Sequence, residues 1–419
     1  MLAAVQDVHQ TEGTVASARQ GGRVAVTRLV LTDFRNYRSA RLDLDASPVV
    51  VSGPNGAGKT NLLEAMSFLS PGRGLRNARL GDIDRRTGAA EAAASGWAVA
   101  ATVASRHGAV RIGTGRDGSA AGLQPTGLPP AESQTTGLSR GERRAIRIDG
   151  ELVRSQSALA ERVGVLWLTP QMDRLFIEGP EGRRRLMDRL VLGIDPAHAA
   201  RVGRYEQAMR ERSRLLREGR TDPAWLAALE ELMATAGVAV AAARRDVIER
   251  LDRVCAAAPS VFPRARVGVV GAVEAWLAEM PALAAEDRLR AALAASRSSD
   301  ATMGGAAVGP HRSDLAVLHA ERNVAAEAAS TGEQKALLIA IVLAQARLQQ
   351  RDRGEAPVLL LDEVTAHLDA VRRAALFEVI AGLDGQTWIT GTDPGLFASL
   401  RGTARFLSVH DGALSETDF

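Results

Sequence analysis

The stretch Pro48-Val49-Val50-Val51-Ser52-Gly53-Pro54-Asn55-Gly56-Ala57-Gly58-Lys59-Thr60 decides the fold. Its valine run reads as a strand buried on both faces. The loop behind it has the form G-x-x-x-x-G-K-T and opens an apolar-periodic helix, Asn61 to Leu69, that stops at Ser70-Pro71-Gly72. Strand, glycine-rich loop and helix in that order make a phosphate-binding loop. Glycines let backbone amides ring a polyphosphate, and the lysine reaches between its oxygens. Gly53, Pro54, Asn55, Gly56, Ala57, Gly58, Lys59, Thr60 and Asn61 are therefore the candidate nucleotide-binding residues. Of 52 basic residues only Lys59 and Lys335 are lysines, and the other 50 are arginines. A compact ammonium fits between phosphates better than a planar guanidinium does.

Val358-Leu359-Leu360-Leu361-Asp362-Glu363 is a second buried-strand pattern, and it ends in two carboxylates. Parallel sheets place ligands at the carboxyl ends of their strands. Asp362 is placed there to hold Mg²⁺ together with the Thr60 hydroxyl, and Glu363 to polarise an attacking water as general base. An apolar strand ending in acid is weak on its own, because acidic residues commonly end strands. Downstream of a phosphate loop and followed by Thr365-Ala366-His367-Leu368-Asp369, it becomes specific. Shortly before it, Ser330-Thr331-Gly332-Glu333-Gln334-Lys335 opens the apolar helix Ala336 to Leu348. Ser330 with Glu333 three residues on fits a capping box, and a capped helix start still offers amides to an anion.

The chain has 419 residues, 46% hydrophobic and 24% charged, enough for two or three domains with sizeable cores. No uninterrupted apolar run approaches the ~18 residues that span a bilayer. The first 25 residues lack the apolar core of a secretory signal and read as a loose extension. One cysteine, Cys255, permits no disulfide within the chain, and a reducing cytoplasm is the simplest setting. The net charge is only +3, so any case for nucleic acid rests on local patches.

Along the chain, Val24 to Leu31 and Ala40 to Val51 read as two strands, with shorter strand patterns over 97–113 and 145–153. Gly113 to Arg140 is rich in Gly, Ser, Thr and Pro and reads as a surface insert. From 181 to 299 the spacing turns helical: Arg183 to Leu192, Ala197 to Arg217, Pro223 to Ala258 and Ala284 to Ser296, punctuated by Pro259, Pro263 and Pro281. Strands at Leu315 to His319, Val358 to Leu361 and Thr387 to Thr390 then alternate with helices at Gly332 to Gln350 and Arg372 to Gly382. The expected architecture is an α/β head over 24–180 and 300–419 with a mostly parallel sheet, a helical second lobe over 181–299, and an extension over 1–23.

Phosphate loop, serine-glycine signature, Asp-Glu strand and His-Leu-Asp, in this order, resemble the ATP-binding-cassette ATPases. Lys59 and Ser330 lie 271 residues apart. Transporter cassettes bring the two motifs much closer, and SMC cassettes insert long heptad coiled coils, whereas a compact helical arm fits here. The wording Phe34-Arg35-Asn36-Tyr37, G-P-N-G-A-G-K-T-N-L-L-E-A, Gly179-Pro180-Glu181-Gly182-Arg183-Arg184-Arg185, Gly309-Pro310-His311-Arg312-Ser313-Asp314 and S-T-G-E-Q-K-A-L-L resembles the RecF family from about residue 24 onward. That resemblance implies an SMC-like head whose signature, Ser330, Thr331, Gly332, Glu333 and Gln334, faces the ATP of a partner subunit. It implies an ATP-dependent homodimer on DNA at single-strand/double-strand junctions of gaps, partnered by RecR and RecO to help the recombinase RecA load. It also implies weak, DNA-stimulated ATP hydrolysis and no membrane partner. Transport-type and nuclease-coupled cassettes are the alternatives. The first is disfavoured by the spacing, the second because nothing after Asp393 supplies an acidic metal cluster.

Other residues carry two readings each. Gln171 is either a Q-loop glutamine contacting Mg²⁺ or a surface turn glutamine. Related cassettes place a γ-phosphate-sensing histidine after the strand that here leads into Thr390-Gly391-Thr392-Asp393, so Thr392 or Asp393 would have to serve. His311 and Arg312 are either chemical or structural ties between the halves of the head, the latter favoured. Arg76 and Arg79 either reach a nucleotide or DNA phosphate or are exposed turn arginines, the latter favoured. Arg201 to Arg220 carries seven arginines against three glutamates, either phosphate contacts for duplex DNA or a solvated face with pairs such as Glu206 and Arg210. Aromatic residues are only 4%, which leaves no visible platform for stacking single-stranded bases.

Overall fold

Four apolar residues in a row, as in Val358–Leu361, need a sheet covered on both faces, and that is where a computed structural model of the chain places them. The structure describes residues 23–85, 96–116, 144–219, 222–257, 261–366 and 368–417. The strands are β1 (Ala25–Phe34), β2 (Tyr37–Asp43), β3 (Val49–Ser52), β4 (Ala98–Ser105), β5 (Gly108–Arg116), β6 (Arg144–Ile148), β7 (Glu151–Leu152), β8 (Val165–Leu168), β9 (Ala265–Val270), β10 (Asp314–His319), β11 (Val324–Ala325), β12 (Val358–Leu361), β13 (Thr387–Gly391), β14 (Arg405–His410) and β15 (Ala413–Glu416). The helices are α1 (Lys59–Ser67), α2 (Ser157–Arg162), α3 (Pro180–Ile194), α4 (His198–Arg217), α5 (Pro223–Ala257), α6 (Ala272–Glu279), α7 (Ala282–Ala295), α8 (Arg297–Met303), α9 (Thr331–Arg353) and α10 (Ala370–Ala381).

The central sheet has the order β15-β14-β3-β13-β12-β8 and is parallel except for β15 at its edge. Alternation along its strands sorts side chains to two cores. Val50, Leu359, Leu361 and Ile389 join the core with α9 and α10. Val49, Val51, Val358, Leu360 and Trp388 join the core with α1 and the antiparallel sheet β2-β1-β4-β5-β6-β7. Phe34, Phe68 and Trp97 meet there with centroids 4.9–6.0 Å apart and pin that sheet to the end of α1. Such pairs contribute about 1 kcal/mol each beyond their burial. Together these features form the expected α/β head with a mixed set of sheets.

A third core lies in the arm, where Tyr205, Leu215, Met233, Val238, Leu289 and Leu293 pack among α4, α5 and α7. At 35 residues α5 is about 52 Å long. By length and composition it is the one helix among the described residues apolar enough to cross a membrane, which the run-length reading passes over. Half of its most apolar window is buried, and the helix packs against α4, α7 and α9.

The structure differs from the sequence reading in three places. The expected strand Ala40 to Val51 is two strands, because Asp45, Ser47 and Pro48 make a turn in which the Asp45 carboxylate accepts from the Ser47 amide at 2.9 Å. Its halves enter different sheets. Within the stretch read as helical, β9 pairs antiparallel with β10, Leu315 opposite Val269. Gly113–Arg116 belong to β5 and pair with β6, so the predicted insert begins later. Its remainder, 117–140, and residues 1–22 of the predicted extension lie outside the described residues, as does His367.

Candidate functional site

β3 ends in the centre of the parallel sheet, and the chain from Gly53 to Gly58 wraps the start of α1. The loop needs its glycines. Gly58 has φ +123°, and a Cβ there would stand 2.6 Å from the Asn36 amide nitrogen and 2.9 Å from the Tyr37 hydroxyl. Those two residues brace the loop: Asn36 donates to the Ala57 carbonyl at 2.9 Å and Tyr37 to the Gly58 carbonyl at 2.9 Å. Asn61 donates to Asn36 at 2.7 Å, and Arg76 donates to both Asn61 and Glu64 at 2.6 Å. Glu64 is fully buried and also receives Arg35. Arg76 is therefore a fixed part of the loop's support rather than a free turn arginine.

Lys59 is buried and donates to the Gly53 and Pro54 carbonyls at 2.8 and 3.0 Å. Burial lowers its pKa, and the nearby Glu363 and Asp362 carboxylates oppose that shift. Its ammonium is thus curled over the loop, close to both acids.

The parallel sheet brings β12 beside β13 and β13 beside β3, and this order assembles the acidic half of the site. The Thr60 hydroxyl donates to Asp362 Oδ1 at 3.1 Å across 302 residues of sequence. Thr390, on β13, donates to the same oxygen at 2.7 Å. The Thr390 oxygen also accepts from the Glu363 amide at 2.9 Å. Glu363 holds a left-handed backbone, φ +49°, which costs a non-glycine residue about 1 kcal/mol or more. That latch turns Glu363 out of the strand line as the neighbour of Asp362. A hydroxyl and a carboxylate already in contact are oxygen donors of the kind Mg²⁺ takes when phosphates complete its shell. The donor set therefore fits the cation.

Signature residues divide by exposure. Ser330, Thr331 and Gly332 are exposed at the start of α9. The capping box is present: the Glu333 carboxylate accepts from the Ser330 amide at 2.9 Å and hydroxyl at 2.8 Å, and from Arg322 at 2.6 Å. These donors lower the Glu333 pKa to about 2. Gln334 turns inward and donates to the Glu327 and Ala329 carbonyls, so it holds the loop rather than facing outward. Lys335 is buried as well.

Gln171 is exposed on the 3-10 turn Pro170–Arg174 that follows β8. It lines a cleft of about 720 Å³ between head and arm, together with Arg73, Arg76, Arg185 and Trp167. Asp393 accepts from the Gly395 amide as a cap, while Thr392 is exposed. His311 ties the arm to the head: its Nδ1 meets the Tyr205 hydroxyl at 2.6 Å and its Nε2 the Ala306 carbonyl at 2.9 Å. Burial keeps its pKa below the usual histidine value. Most arginines of α4 are already engaged. Arg212 is fully buried between Glu230 and Asp300, Arg214 pairs with Glu211 and Glu218, Arg210 with Glu206 and Arg201 with Asp195. The ion-paired reading of this stretch fits these contacts, and no DNA contact is assigned to it.

Asn36, Tyr37 and Thr390 are site residues to which sequence reasoning assigns no role. A polar Asn-Tyr pair closing a strand turn is a signal for the first two; nothing local marks Thr390.

This sheet, with a phosphate loop, a strand-end Asp-Glu pair and a capped signature helix, defines an ATP-binding-cassette ATPase head of the SMC kind. The family described as "AAA domain" matches residues 28–93. An SMC head domain from Pyrococcus furiosus, bound to the C-terminal domain of ScpA, superposes with TM-score 0.51 at 15% identity, covering 94% of this chain and 96% of that one. A structure of the recombination mediator protein RecF with ATP superposes with TM-score 0.78 at 20% identity over 96% of this chain and all of that one. In sequence, the DNA replication and repair protein RecF of Rhizobium etli is 46% identical over 392 residues, 93% of this chain and 98% of its own length. That of Allorhizobium ampelinum is 47% identical over 392 residues, again 93% and 98%. The chain belongs to the RecF family.

Proposed function

We propose that this chain is an ATP-dependent DNA-binding protein of recombinational repair. In this reading it dimerises on ATP at single-strand/double-strand junctions of gaps. It works in the cytoplasm with RecO and RecR so that RecA loads, which supports replication restart and SOS induction. ATP hydrolysis is weak and resets the dimer. The observation that carries the proposal is the Thr60–Asp362 contact at 3.1 Å, which puts a phosphate loop and a strand-end acid in one site.

Backbone amides from Asn55 to Thr60 bind the phosphates, and Lys59 leaves the Gly53 and Pro54 carbonyls to reach them. Thr60 and Asp362 would hold Mg²⁺, Gln171 on the turn after β8 being the further candidate ligand, and the cation would neutralise phosphate charge. Glu363 takes the proton of the attacking water, and Thr390 holds the Glu363 backbone by its amide while bonding the Asp362 carboxylate. Ser330, Thr331 and Gly332 of the partner protomer close over the nucleotide. Closure also joins two basic surfaces for duplex DNA, whose binding would weaken with salt.

The test is sizing the purified protein with and without ATP and gapped DNA. Lys59→Ala should abolish ATP-dependent dimers, and dimers that survive it unchanged would sink the scheme. Glu363→Gln should accumulate them, and normal hydrolysis by that variant would remove Glu363 from the base role.

A further inference from the structure

Lys335, the one lysine outside the phosphate loop, has 8% of its surface exposed. It lies just past the first turn of α9, behind the exposed Ser330, Thr331 and Gly332. Its ammonium donates to the Ala366 carbonyl at 3.1 Å and stands 3.5 Å from the Asp173 carboxylate. Ala366 closes the turn that starts at Glu363, its amide donating to the Glu363 carbonyl at 3.2 Å. Asp173 sits in the Pro170–Arg174 turn, two residues after Gln171. A cavity of about 10 Å³ beside them is lined by Asp173, Lys335 and Asp362 itself.

One side chain thus joins the signature helix to the two turns that leave β8 and β12 next to Asp362. A carboxylate on one side and a single carbonyl on the other call for a compact, rotatable donor. A guanidinium fork is planar, wider and fixed in the directions of its N–H groups. This gives a structural reason for an ammonium at 335 in a chain that otherwise uses arginine outside the phosphate loop.

We propose that Lys335 is a positioning residue that couples nucleotide at this protomer's own phosphate loop to the signature this protomer offers its partner. The inference rests on the reading above that Ser330 to Gly332 complete a partner's site. Nucleotide held at Thr60 and Asp362 would bear on the turns that leave β12 and β8, which carry Ala366 and Asp173. Lys335 passes a shift of those turns to the first turn of α9, where the capping box holds Ser330 rigidly to the helix. Without the ammonium, the same turns move and the signature does not follow. A purely structural tie would affect stability alone.

Two quantities separate these roles: the affinity of the monomer for a fluorescent ATP analogue, and the dimer dissociation constant in saturating ATP. Lys335→Met should leave the first within twofold and weaken the second at least tenfold, with little change in nucleotide-free melting temperature. Asp173→Asn, on a half-exposed turn, provides the same comparison should the methionine variant fold poorly; it should weaken the dimer at least threefold. Dimerisation of both variants with wild-type ATP dependence overturns the inference, as does parallel loss of nucleotide affinity and dimerisation. Ser330→Arg distinguishes the underlying reading. If it dimerises normally, or if the wild type forms no ATP-dependent dimer, the shared site fails and the coupling with it. If Ser330→Arg is blocked while Lys335→Met and Asp173→Asn dimerise normally, only the coupling fails.

Discussion

Replacing Thr390 by valine removes one hydroxyl from the centre of the site while keeping its volume. The side chain is fully buried on β13, so no cavity opens and the loss is one of hydrogen bonds. The 2.7 Å bond to Asp362 is charge-assisted, a class contributing about 1.5–3 kcal/mol. The Glu363 amide, bonded to the same oxygen at 2.9 Å, loses its acceptor, at a cost of roughly 1 kcal/mol. Together these predict a loss of about 3 kcal/mol. At ~2 °C per kcal/mol for a large domain, thermal unfolding should shift down by about 6 °C. Hydrolysis should fall further than stability, because Glu363 keeps its left-handed backbone only while latched; each ~1.4 kcal/mol of misaligned transition state costs tenfold. Thr390→Ser keeps the hydroxyl and should recover most of both. Differential scanning calorimetry and a steady-state ATPase assay on the three proteins decide the matter. If the valine variant melts within a degree of wild type and hydrolyses ATP normally, the latch carries no weight.

Glu363→Gly should raise stability by roughly 0.5–1 kcal/mol, since glycine adopts φ +49° without strain, while abolishing hydrolysis; chemical denaturation and ATPase rates together test this. The Glu333 carboxyl is depressed from 4.5 to about 2, so its capping contribution is present above pH 4.5 and lost as pH falls toward 2. Amide protection factors at the start of α9, taken relative to the intrinsic rate at each pH, should fall over that window, and Glu333→Gln should flatten the dependence. Arg212→Met should destabilise the arm by about 3 kcal/mol, because Glu230 and Asp300 stay buried after losing it, Glu230 keeping only Arg297. Limited proteolysis would then cut α4 and α5 before the head.

How far each part could be read from the sequence depended on how local its cause is. Val358–Leu361 is a strand because four apolar residues end in two acids, and α5 is a helix because its period persists for 35 residues behind Pro223. The six residues of β9 carry too little period to oppose the helical pattern around them, and only pairing with β10 makes them a strand. The capping box of Ser330 and Glu333 is readable because both partners lie within one turn. That Gln334 turns inward is not, because its acceptors are the Glu327 and Ala329 carbonyls of a folded loop.

The sequence by itself determined the phosphate loop, the two carboxylates and the signature, since glycine spacing, strand hydropathy and capping are interactions among near neighbours. It also marked Lys59 and Lys335 as exceptions in an arginine-rich chain. Only the tertiary structure decided what those residues touch. The order β3-β13-β12 sets Thr60 and Thr390 on one oxygen of Asp362, and the packing of α9 buries Lys335 against Asp173 and Ala366. The physical reason is sequence distance: contacts bridging tens to hundreds of residues are selected by sheet order and by the shared core, which no local pattern encodes.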